Sequence, residues 1–286
     1  MADSLGNLAI ALATSSRLAE AQFLAEEEIA LVRQHIEEDP EALKPRLARA
    51  LTNTSRLHQR AQQWEAALTM LDEAVDLQQP AADAGMIESQ LSVISQVLDQ
   101  YGERPEVTYR AYEIVRRLGS RQEGPLERQL SDVLTTLGVE LMNHGRLDEA
   151  LTTTQRTLEI QHRLSAAEPF YKLAITGTLS ILTTVTSALG RWPEALAYAQ
   201  EAVARHRELE QMMSPAPYPG FPQALANLSL VLTILERWSE ALDTTDEAIV
   251  AFEEPTLHGV ETSSQHTLRD LHERRDYILE HLQPNG

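Results

Sequence analysis

Six times along its 286 residues the chain places a leucine sixteen residues ahead of a small apolar residue. The pairs are Leu5 and Ala21, Leu51 and Ala67, Leu91 and Val107, Leu134 and Ala150, Leu179 and Ala195, and Leu225 and Ala241. Successive copies lie 46, 40, 43, 45 and 46 residues apart, which fills most of the chain. A period of this size is the signature of a stack of two-element units, each too small to bury its own apolar face and therefore packed on its neighbours.

The inside of the unit follows from helix geometry. Three residues after each leucine comes Leu8, Thr54, Ile94, Leu137, Leu182 or Leu228, and seven after it Leu12, His58, Leu98, Leu141, Thr186 or Leu232. Spacings of three, four and seven lie on one face of a helix. The small residue between them, Ala9, Ser55, Ser95, Gly138, Thr183 or Ser229, lets a second helix come close. Gly102, Gly145 and Gly190 are expected to end first helices in the left-handed conformation that glycine tolerates. Pro105 and Pro193 suit the first turn of the second helix, where a missing N–H does no harm. Each unit is thus read as an antiparallel helix pair, crossing at Ala21, Ala67, Val107, Ala150, Ala195 and Ala241.

Phrases such as "GRWPEALAYAQEA" and "ERWSEALDTTDEA", with the later alanines Ala74, Ala202 and Ala248, resemble the tetratricopeptide repeat. The period exceeds the usual 34 residues, so the chain is most similar to the long-helix subtype of kinesin light chains and bacterial regulatory proteins. Copies two, five and six match best. The first copy has Glu28 in place of the later alanine, and the third lacks both the aromatic and the turn alanine. The resemblance implies an all-α fold, a right-handed α-solenoid forming one domain over 1–286. Its repeats are expected near 2–40, 41–82, 83–120, 124–166, 168–213 and 222–254, with a capping helix over 263–283. Armadillo and HEAT solenoids share the period but not the Gly-x-Trp-x-Glu-Ala turn.

The resemblance further implies that first helices line a concave groove that takes a peptide or helix of another protein, and that the chain is a non-catalytic interaction module or regulatory scaffold. A sensor whose groove binds a signalling peptide or small ligand and changes shape is the alternative. Family geometry points the residue before the second apolar position into that groove, which is Asn7, Asn53 and Asn227 in copies one, two and six. An amide there can donate to and accept from an extended backbone; a tolerated polar residue on a wet face explains it as well. In copy two, "KPRLARALTNTSRLHQR" carries five cations and no acid. Arg49, Asn53, Arg56 and Arg60, spaced four, three and four apart, form one stripe that suits an acidic peptide or terminal carboxylate. Pairing of these arginines with acids on adjacent helices is the competing explanation. The chaperone-tail clamp of the family does not fit, because Gly6 and Ile10 stand where its lysine and asparagine belong and Ser89 and Val93 where its lysine and arginine belong, leaving only Asn53 as a match.

Charge and composition narrow the partners. A formal charge of −19 repels phosphate backbones, so nucleic acid is not an expected partner. No apolar run approaches the roughly 20 residues a membrane span needs, and Asp3 stands where a secretory leader would be basic; a cytoplasmic protein is expected. Cysteine is absent, and the nine histidines form no ligand set of recognised spacing, so neither a metal nor another cofactor is expected. His272 and Asp276, four apart, read as a wet helix face, and His58 as a hydrogen-bonded core residue. "SPAPYPGFP", Ser214 to Pro222, is too proline-dense for a helix and reads as an exposed connector bearing Tyr218 and Phe221. Leu268, Leu271, Ile278 and Leu282 form the apolar stripe of the final helix. The first copy has no cap, which suggests self-association through it or a longer parent chain.

Overall fold

The computed structural model describes residues 2–15, 17–78, 84–119, 126–168, 170–213, 220–253 and 261–282, and the described residues form helices and turns without a strand. Thirteen helices follow in order: α1 (Ala2–Thr14), α2 (Leu18–His35), α3 (Pro40–Arg60), α4 (Trp64–Leu77), α5 (Ala84–Tyr101), α6 (Pro105–Gly119), α7 (Glu127–Asn143), α8 (Leu147–Ser165), α9 (Phe170–Ala188), α10 (Trp192–Met213), α11 (Phe221–Ile234), α12 (Trp238–Glu253) and α13 (Glu261–Leu282). This is the all-α helix-pair repeat architecture expected from the leucine column. Packing divides the chain into two compact units, Met1–His144 and Gly145–Gly286, with the division in the turn between α7 and α8.

In the first unit α1 packs on α2, α3 on α4 and α5 on α6. First helices also meet in series, α3 on α5 and α5 on α7, while α4 meets α6. The fold therefore has one wall of odd-numbered helices and one of even-numbered helices. Ala21, Ala67 and Val107 are completely buried one turn into the second helices, where small side chains let each helix pack close to its partner. Leu51, Leu91 and Leu134 are buried, as are the residues three positions on, Thr54, Ile94 and Leu137. The first copy departs from the pattern: Leu8 is 49% exposed, and its neighbour Ala9 is buried. The leucine expected in the core therefore faces solvent, because α1 has a helix packed on fewer sides than the first helices that follow it.

Polar residues in the apolar columns are reconciled by local hydrogen bonds. Thr54 donates its hydroxyl to the Ala50 carbonyl at 2.8 Å, and Thr183 to that of Leu179 at 2.9 Å. Such back-bonding satisfies a buried hydroxyl without a partner from another helix. His58 is a buried, hydrogen-bonded histidine, its Nδ1 lying 2.7 Å from Gln63 Oε1 and 3.2 Å from Gln22 Nε2.

The turns show how the expected glycines are used. Gly145 and Gly190 have φ of 75° and 71°, the left-handed cap expected of them. Gly102 does not take that conformation. Its requirement is close approach, since a Cβ there would lie 2.6 Å from the Leu98 carbonyl oxygen and 3.3 Å from Glu140 Cγ. In copies two and six the left-handed position is held by Gln62 and Glu236, at 59° and 56°, despite the steric cost of a side chain there.

In the second unit α9 packs on α8, α10 and α11, and α11 on α10 and α12. Ala150, Ala195, Ala241, Leu179 and Leu225 are all completely buried. The last helix, α13, packs on both α12 and α11, which is the relation a further first helix would have. Leu271 and Ile278 of α13 are buried, whereas Leu282, the last residue of the helix, is 40% exposed. Phe221 and Pro222 begin α11 and are buried, so the expected connector ends before them; Ser214–Pro219, with Tyr218, lies outside the described residues.

Phe221 rests against His206 of α10, ring centroids 5.6 Å apart. His206 is 1% exposed and its Nδ1 has no hydrogen-bond partner. Burial pushes its pKa down to about 4 from 6.5, so the folded state holds it neutral. The unfolded chain takes up that proton near pH 6.5, and the contribution to stability, complete above that pH, is lost as pH falls toward 4. The denaturant midpoint of His206→Leu is therefore expected to fall less steeply than that of the unaltered protein between pH 6.5 and 4. Parallel profiles in urea titrations would refute this role.

Candidate functional site

The two walls of the first unit treat their arginines differently. On the second-helix wall Arg33 of α2 pairs with Glu73 of α4 at 2.5 Å, and Arg117 of α6 pairs with both Asp72 and Asp76 of α4. Arg110 of α6 donates to the Thr69 hydroxyl of α4 at 2.9 Å. These bonds stitch successive repeats together. On the first-helix wall Arg49, Arg56 and Arg60 of α3 are exposed and make no ion pair or hydrogen bond. The explanation that they neutralise neighbouring acids does not describe them.

The α3 stripe borders a groove. Where α3 packs closely on α5, with Gln90 donating to the Thr52 hydroxyl at 2.9 Å, α1 stands further from α3 and leaves a cleft of about 130 Å³. Its floor is apolar, from Ala9, Ile10 and Ala13 of α1 and Leu57 of α3. Asn53, Arg56 and Arg60 line its α3 side. Glu28 of α2 reaches in from below and is only 8% exposed. Its carboxylate occupies space that a side chain at position 6 would need: a Cβ on Gly6 would lie 2.5 Å from Glu28 Oε2. The two departures of the first copy, glycine in α1 and glutamate for alanine in α2, are thus one packing arrangement.

Of the residues singled out in the sequence, Asn53, Arg56 and Arg60 come together in this cleft. Arg49 lies on the same face of α3, one turn before Asn53, outside the lining. Asn7 is exposed on α1 and also outside the lining. Asn227 belongs to the second unit, where its Oδ1 accepts from Gln223 Nε2 at 3.0 Å. Gly6 and Ile10, which disqualify the chaperone-tail clamp, are themselves part of the cleft.

A second groove, of about 270 Å³, was not anticipated from the sequence. It opens between α5 and α7 and is polar, lined among others by Glu88, Ser92, Gln96, Gln129 and Asp132. Gln129 donates to Glu88 Oε1 at 3.0 Å, which leaves its own Oε1 enclosed without a hydrogen bond. Partial loss of water raises the Asp132 carboxyl above its ordinary pKa, an effect the nearby Arg128 guanidinium opposes. Among the described residues no group of three or more histidine, aspartate and glutamate side chains is placed to hold a metal. No helix among them is long and apolar enough to cross a membrane.

Residues 175–210 match the family model described as the tetratricopeptide repeat. The matched stretch runs from Ile175 in α9 into α10, the fifth copy of the leucine column, so the chain carries a tetratricopeptide repeat there. No curated protein matches the chain. Among solved structures it is similar to BtubC (BKLC) from P. vanneervenii, at 16% identity over 94% of each chain with a TM-score of 0.42. It is similar to YrrB, described as a TPR protein with an unusual peptide-binding site, at 19% identity over 83% of this chain and 97% of that one, TM-score 0.46. A third likeness is to a Podosopora anserina putative kinesin light chain with nearly identical TPR-like repeats, at 16% identity over 73% and 95%, TM-score 0.46.

The Gly6 and Glu28 arrangement is open to a double-mutant cycle. Replacing glycine by alanine inside a helix normally gains about 1 kcal/mol. With Glu28 replaced by alanine, Gly6→Ala should gain about that much; with Glu28 present the gain should vanish or reverse. Equal gains in both backgrounds, measured by urea unfolding, would show that the carboxylate does not occupy the space.

Proposed function

We propose that the chain is a non-catalytic interaction module and that its first unit binds a peptide or helical segment of a partner protein at the cleft between α1 and α3. The observation that carries this reading is the set of Arg49, Arg56 and Arg60 guanidinium groups on α3, unpaired in a protein whose second-helix arginines are paired, beside an apolar floor. An exposed arginine costs little to keep hydrated, and it can grip a carboxylate bidentately once a partner arrives. The floor has room for an aliphatic side chain, whose burial contributes about 2 kcal/mol. An apolar residue flanked by carboxylates is therefore the partner feature best matched to the cleft.

Charge reversal separates binding from folding here. Arg49→Glu combined with Arg56→Glu should abolish partner capture in pull-downs from the native lysate while leaving helical circular dichroism and the unfolding midpoint nearly unchanged, because neither side chain makes a bond that folding needs. Undiminished capture by a folded double variant would remove the α3 stripe from the binding site.

A further inference from the structure

The first-helix wall of Met1–His144 carries two grooves of opposite chemistry, and they open on the same face. Relative to the buried leucine of each helix, Arg49 of α3 and Asp132 of α7 hold the same position, two residues before Leu51 and Leu134; Arg56 and Gln96 likewise both stand five residues after theirs, Leu51 and Leu91. Arg56 lines the α1–α3 cleft, and Gln96 and Asp132 line the α5–α7 groove. The first groove presents unpaired cations. The second presents the carboxylates of Glu88 and Asp132, with Arg128 on the same helix as Asp132, and the enclosed, unpartnered amide oxygen of Gln129. All three acceptors suit an ammonium or guanidinium donor.

We propose that this wall takes one extended segment of a partner protein, with a carboxylate and an apolar side chain seated in the α1–α3 cleft and a lysine or arginine seated between α5 and α7. The inference rests on the proposed function of the first cleft and adds the second groove and the spacing. The groove centres are two helix positions apart, which at 8–10 Å per packed helix is about 18 Å across the wall. The lining of α3 is centred some four or five residues further along its helix than that of α5, a shift of about 7 Å at 1.5 Å per residue. The diagonal, about 19 Å, is close to six residues of extended chain at 3.3 Å each. A helical segment would need about thirteen residues for the same distance. Asn53, on the α3 side of the first cleft, offers an amide that can pair with an extended backbone.

Selection of a random twenty-residue phage-displayed library against the whole protein, followed by fluorescence titration of the selected peptides, tests this. The expected binders carry Asp or Glu beside an aliphatic residue and Lys or Arg five to seven positions away. Arg60→Glu should weaken them at least tenfold. Glu88→Gln with Asp132→Asn should weaken them several-fold, and replacing the peptide's basic residue by alanine should then cost nothing further. Selected peptides that depend on Arg60 but show no basic preference, and ignore the Glu88 and Asp132 variants, would overturn the two-groove inference and leave the first cleft standing. A preferred spacing near thirteen would overturn the extended conformation and the inference with it. Loss of selection altogether, or binders indifferent to Arg60, would refute the proposed function as well.

Discussion

Within each unit, the second helix of a pair meets the first through a small or β-branched residue with no solvent exposure. Ala21, Ala67, Val107, Ala195 and Ala241 are all completely buried, and each lies about one helix turn inside α2, α4, α6, α10 or α12. Close crossing at these points lets the leucine columns of the first helices interdigitate with the second helices, and it turns a short turn into a defined angle between two long elements. An added methylene there would force the helices apart along their whole length, since protein interiors have no slack for it. The remaining features of the repeat, the left-handed caps and the prolines in first turns, aim the chain into that crossing.

With the scaffold fixed by what the copies share, the differences between copies are left to carry recognition. The even-numbered helices of the first unit spend their arginines on bonds to one another. The odd-numbered ones keep α3 cationic and α5 and α7 mildly anionic. Exposed ion pairs contribute little to stability individually, so a free arginine stripe is not a large sacrifice of fold energy. Both grooves exist because small or polar side chains, Ala9 and Ala13 in one and Ser92 and Ser95 in the other, stand where larger ones would close the wall.

Much of the helix-pair fold was legible because burial repeats with the period of the leucine column. What the column could not convey was where a position carries a different load. Leu8 occupies the right register yet is exposed, because burial depends on neighbours that the register of one helix does not contain. Gly102 matched the expected place for a left-handed cap, but its requirement is room beside the Leu98 carbonyl oxygen, 2.6 Å from where a Cβ would stand. Gln62 and Glu236 take the cap conformation with no glycine to announce it. The arginine stripe was visible as a run without acids, whereas the α5–α7 groove was not, since Glu88 and Asp132 lie far apart in sequence and meet only when α5 packs on α7. Glu28 and Gly6 were each noticeable as departures; that they are one arrangement required the packing between α1 and α2.

Position-specific photo-cross-linking tests the division between a structural wall and a recognition wall most directly. A photoreactive phenylalanine analogue at Asn53 of α3 is compared, in the native cell, with the same residue at Thr69 on the exposed side of α4. Adducts to a partner protein at Asn53, lost when Arg56 and Arg60 are reversed to glutamate, with none at Thr69, are the predicted result. Adducts of equal yield at both positions, or at Thr69 alone, would contradict the account.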